Sequence, residues 1–140
     1  MAKTILKKTE SKVAVKLHGA AMGETVSLNV DCLASTEALT VGGTPTVNIV
    51  SMHWAGAADA VITITRNSVV IATLNGSAPG ELIFSDTDFT ESVENTSNIV
   101  VSSTGGPAQL WLLLRKVSGY SSKIETAQFS VYDDTTAVGS

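Results

Sequence analysis

The chain has 140 residues, 44% of them hydrophobic and only 16% charged, where an average globular chain carries roughly 25% charged residues. That balance excludes a disordered polymer, which is rich in charge and poor in apolar residues. The net charge of −4, with a pI near 5.0, excludes nucleic acid as the main partner, because phosphate contacts require a basic face.

In chain order, Met1 to about Lys16 reads as a basic N-terminal arm, with Lys3, Lys7, Lys8, Lys12 and Lys16 against Glu10 alone. From Ser11 to Leu17 the residues Val13, Val15 and Leu17 alternate with Lys12, Ala14 and Lys16, so the arm runs into a strand. His18 to Gly23 is a loop. Thr25 to Leu33 alternates as an amphipathic strand, and the single cysteine, Cys32, shares the parity of Val26, Leu28 and Val30. The expectation for it is a buried small hydrophobe. Alone it forms neither an internal disulfide nor a cysteine-based zinc site. Ser35 to Leu39 has the N-terminal chemistry of a helical turn, broken by Thr40 to Pro45.

Thr46 to Trp54 is the next strand, and Trp54 to Ala58 links it to Asp59–Leu74. There Val61, Thr63 and Thr65 alternate with Ile62 and Ile64. After Arg66-Asn67-Ser68 the β-branched run Val69-Val70-Ile71 resumes, which is the signature of a β-hairpin. Asn75 to Gly80 is a Gly/Pro loop, Glu81 to Phe84 a short strand, and Asp86 to Glu94 an acidic loop. Ile99 to Ser102 is a strand stopped by Gly105-Gly106-Pro107. Ala108 to Val117 is apolar on both parities, as a central strand is. A polar C-terminal extension covers residues 120–140, anchored by Phe129, Val131 and Tyr132. About eight short strands without a long helix predict one domain over 1–140: an all-β, antiparallel, jelly-roll-like β-sandwich with extended terminal arms.

Catalytic patterns are missing from this sequence. No serine sits in Gly-x-Ser-x-Gly, and the Gly-Gly pairs are followed by proline rather than by a phosphate-binding helix start. His18 and His53 have no ligand partner at i+2 or i+4. No nucleophile, base and orienter can be named, so the expectation is a non-enzyme without a cofactor. The acidic loop has oxygen ligands suited to calcium, but Glu91 occupies the position where an EF-hand loop needs glycine. Trp54 or Trp111 could line a sugar site, but aromatic residues make up only 5% of the chain, so core anchoring is the better reading. The start lacks the apolar core of a secretory signal, which makes the two sequons at Asn75 and Asn95 chance matches. The run Leu110 to Leu114 is too short to span a bilayer, so no membrane partner is expected. Basic and acidic patches point instead to assembly: Lys3, Lys7, Lys8 and Lys12 of one subunit against Asp86, Asp88, Glu91 and Glu94 of a neighbour.

Residues 46–140 resemble virion structural proteins of tailed bacteriophages, especially those of marine cyanobacterial phages. The likeness lies in Met52-His53-Trp54-Ala55-Gly56, the hairpin Ala60 to Leu74, Ser92-Val93-Glu94-Asn95-Thr96, Gln109 to Lys116, and Lys123 to Asp134. It implies a particle component made in the host cytoplasm and located in the virion. Within that class a capsid decoration (cement) protein is favoured, bound to the major capsid protein or other virion subunits and homo-oligomeric, a trimer being one form. A neck, tail or fibre-associated subunit and a carbohydrate-binding β-sandwich are the alternatives.

Overall fold

The computed structural model describes residues 2–21, 23–84 and 95–122. Eleven strands run through them: β1 (Ala2–Lys8), β2 (Lys12–Gly19), β3 (Gly23–Val26), β4 (Glu37–Leu39), β5 (Thr46–Gly56), β6 (Val61–Arg66), β7 (Val69–Asn75), β8 (Gly80–Ile83), β9 (Ile99–Thr104), β10 (Ala108–Ser118) and β11 (Tyr120–Ser122). Among the described residues there is no helix.

The strands form a five-stranded sheet, β1-β2-β10-β5-β8, a four-stranded sheet, β3-β9-β6-β7, and a two-stranded ribbon, β11-β4. Every pairing is antiparallel. The two large sheets are the layers of a β-sandwich, because one core draws on both. Val15, Leu17, Ile49, Met52, Leu110 and Leu112 come from the first; Val26, Ile62, Ile64, Leu74, Ile99 and Val101 come from the second. Period-two alternation makes this possible, since every second side chain of a strand points to one face. β10 is the middle strand of the larger sheet, as its sequence predicts.

The pairings are nested. β6 pairs with β7, β5 with β8, β3 with β9 and β2 with β10. The chain doubles back at the β6–β7 turn, and the paired halves are then wound into two layers. That turn has only two residues, Asn67 and Ser68, at φ 51° and 62°. Both lie in the left-handed region, as a type I′ hairpin requires.

Several local expectations fail. The basic arm is not an extension. Residues 2–8 pair along β2, and Ile5 packs against the core. Thr9 makes the connecting turn: its Oγ1 accepts from Lys12 N at 3.0 Å and Ser11 N at 3.2 Å. Thr36 Oγ1 donates to Glu10 at 2.8 Å, tying that turn down. The Thr25–Leu33 strand stops at Val26, because Asp31 Oδ2 accepts from Ser27 N at 2.8 Å and closes a local turn. That turn still points Leu28 and Cys32 inward, which imitates strand alternation. Ser35–Leu39 is not a helical turn; it leads into β4, held by β11. The C-terminal extension is described only to Ser122, so Phe129, Val131 and Tyr132 lie outside the described residues.

Candidate functional site

The lysines of the expected assembly patch divide. Lys3 is engaged within its own chain, donating to Asp31 Oδ2 at 2.8 Å and to the Thr25 carbonyl at 2.9 Å. It staples the edge strand β1 to the end of β3. Lys7, Lys8 and Lys12 are exposed and free to meet another surface. Their expected partners Asp86, Asp88, Glu91 and Glu94 lie outside the described residues, as does the calcium reading of that loop. Among the described residues no group of three or more His, Cys, Asp or Glu could hold a metal ion.

The outer face of the five-stranded sheet carries the richest side-chain row. Register places Thr4, Lys16, Trp111, His53 and Glu81 side by side across all five strands. The Lys16 ammonium sits 5.8 Å from the centre of the Trp111 ring, within cation–π range. His53 Nε2 and Glu81 Oε2 are 2.7 Å apart, each about half exposed, so the pair adds little stability. The adjacent row, His18 and Gln109, borders a shallow groove of about 580 Å³. Its floor is made of small residues: Gly19, Ala20, Gly56, Ala57 and Ala108. Trp111 and Trp54 thus differ. Trp54 packs on the core and its indole N–H donates to the Ala78 carbonyl at 2.9 Å, fixing the loop before β8. Trp111 departs from the core-anchoring expectation and looks outward, because it shares the row of Lys16 and His53.

The outer face of the four-stranded sheet is the opposite in character. Its rows read Thr25, Val100, Thr65, Val70 and then Ser102, Thr63, Thr73, without an ionisable side chain. Charges are concentrated on one face and absent from the other.

A buried polar cluster escaped the sequence reading. Lys116 and Glu37 form an ion pair whose side chains are 2% and 3% exposed. Lys116 Nζ also donates to the Thr9 carbonyl at 3.1 Å and lies 4.3 Å from the Tyr120 ring centre. Glu37 Oε1 accepts from Ala34 N at 3.1 Å, and Tyr120 OH donates to the Leu28 carbonyl at 2.6 Å. Burial raises the Tyr120 hydroxyl well above its usual range and pushes the neighbouring Cys32 thiol up to about 11, so both stay protonated at neutral pH. Arg66 is fully buried beneath the same end of the sandwich, donating Nη1 to the Val47 carbonyl at 2.8 Å and Nη2 to that of Ser97 at 2.7 Å. These charges join β4, β10, β11 and the β1–β2 turn. One signal pointed to them: Lys116 shares the inward parity of Leu110, Leu112 and Leu114.

No protein-family model matches the chain, and no curated protein matches it.

Proposed function

We propose that the chain is a non-enzymatic structural subunit of a bacteriophage particle, a capsid decoration (cement) protein that binds and stabilises the assembled head. The observation that carries this reading is the nested winding, β2-β10-β5-β8 over β3-β9-β6-β7. We read that order as jelly-roll-like, an architecture used by viral capsid and lectin domains and by cupins. The likeness of residues 46–140 to virion proteins agrees with it, and so does the surface. A charge-free face of Thr, Ser and Val suits dry contact with neighbouring subunits. The exposed Lys7, Lys8 and Lys12 on the other sheet suit an acidic partner such as a capsid subunit. A subunit that binds only the assembled shell stabilises it by mass action, and repetition over a lattice turns weak contacts into avidity.

The test is binding of the purified chain to assembled heads and, separately, to unassembled major capsid protein of a phage that encodes it. Binding to heads alone, with raised heat resistance of the heads, is the expected result. Equal binding to free subunits, or none to heads, overturns it.

The outward Trp111 beside the groove favours a second reading, a carbohydrate-binding module. An aromatic face flanked by Lys16, His18 and Gln109 offers stacking and hydrogen bonds to a sugar. Glycan-array binding abolished by Trp111→Ala, without binding to heads, would select that reading.

A further inference from the structure

Four strands border the two large sheets, and three of them are guarded. β1 carries Lys3, Lys7 and Lys8; lysines on an edge oppose pairing with another chain. β3 and β8 have four residues each, too short to template much, and β8 carries Glu81. β7 is unlike them. It runs for seven residues, VVIATLN, without charge or proline. The charge-free stretch extends from Asn67 through Gly80. Among the described residues no strand pairs with β7 on the side away from β6. Val69 and Val70 are 43% and 56% exposed, and the sheet face bordered by this strand has no ionisable side chain.

We infer that β7 is a self-association edge: a second copy of the chain adds antiparallel to it about a two-fold axis near Thr73, joining two four-stranded sheets into one of eight. The backbone N–H and C=O groups of β7 that point away from β6 supply the hydrogen bonds, as in other cases of strand addition. Charge and symmetry select a second copy as the occupant. In a two-fold contact each residue near the axis meets itself or a close neighbour, so any charge there faces its like. A chain of net charge −4 repels its own copy over most of its surface; along β7 that repulsion is absent. Thr73 points outward opposite Thr63, so the axis brings two threonines together, a favourable cross-strand pair. The register irregularity falls at Ile71, which leaves Ala72 to Leu74 regular at the axis.

Sedimentation equilibrium of the full chain from micromolar to millimolar concentration tests the inference, with circular dichroism to verify folding of each variant. The wild type is expected to reach a dimer. Thr73→Lys and Thr73→Glu each place like charges at the axis and weaken association at least about tenfold, while an equimolar mixture of the two restores a heterodimer. Thr4→Lys on the guarded edge β1 leaves the dimer unchanged. A monomer at every concentration, a closed trimer, or a dimer indifferent to charge at position 73 overturns it.

Discussion

Lys116→Met isolates the worth of the buried cluster. The substitution keeps the side-chain volume near that of lysine and leaves the Glu37 carboxylate buried with only the Ala34 N–H as a described partner. Breaking one side of a buried pair costs about 3–5 kcal/mol. The expected penalty is therefore about 4 kcal/mol at pH 7. Urea unfolding followed by tryptophan fluorescence measures it. With a slope of about 2 kcal/mol/M, the midpoint falls by about 2 M at pH 7. The double variant Lys116→Met/Glu37→Leu removes both charges and returns to within about 1 kcal/mol of the wild type. A single-variant penalty below about 1 kcal/mol at pH 7, or a double variant no more stable than the single one, would refute the buried-pair account.

Four further outcomes are expected. Arg66→Met strips donors from the Val47 and Ser97 carbonyls and should cost about 2–4 kcal/mol, read by the same urea titration. Ser68→Gly should raise stability by up to about 1 kcal/mol, because the ~1–2 kcal/mol cost of a Cβ at φ 62° exceeds the roughly 0.5–1 kcal/mol of entropy that glycine loses; a lower melting temperature would contradict the turn assignment. Cys32 and Tyr120 hold their protons in the folded state to higher pH than in the unfolded chain. The unfolded state therefore binds fewer protons above pH 9, and stability must fall between about pH 9 and pH 11; alkylation of Cys32 should be slow below that window. Deleting Met1 to Ser11 removes β1, the packing of Ile5 and the Thr9 carbonyl that accepts from Lys116. The truncated chain should melt markedly lower than the full one, whereas a free arm would be lost without change.

Local patterns were legible where local physics decides. The β6–β7 hairpin, the central place of β10 and the burial of Cys32 all follow from neighbours within a few residues. The first strand reads as an arm because lysines mark both a solvated tail and a protected sheet edge. The distinguishing sign was Thr9-Glu10-Ser11, turn residues between two segments of similar length. Glu37 reads locally as helix-start chemistry, because its partner Lys116 lies far along the chain and nothing local announces the pairing. The outer-face row from Thr4 to Glu81 was equally hidden, since it exists only once five strands from distant parts of the chain are in register. Parity could not place Trp111 outward, because its strand is apolar on both parities, and its company of Lys16 and His53 was hidden for the same reason as the rest of the row.

The nesting of the strands has a consequence for the order in which the molecule is made. β2 takes its partner from β10, whose residues 108–118 leave the ribosome long after residues 12–19. At ordinary rates of synthesis the wait is roughly 5–20 s. Through it the β1–β2 hairpin carries Val13, Val15 and Leu17 with no sheet to cover them, while the β6–β7 hairpin forms early from its own neighbours. Pairing between segments so distant in sequence is intrinsically slow. In that interval the lysines of β1 act as gatekeepers, keeping an uncovered apolar strand from recruiting another nascent chain.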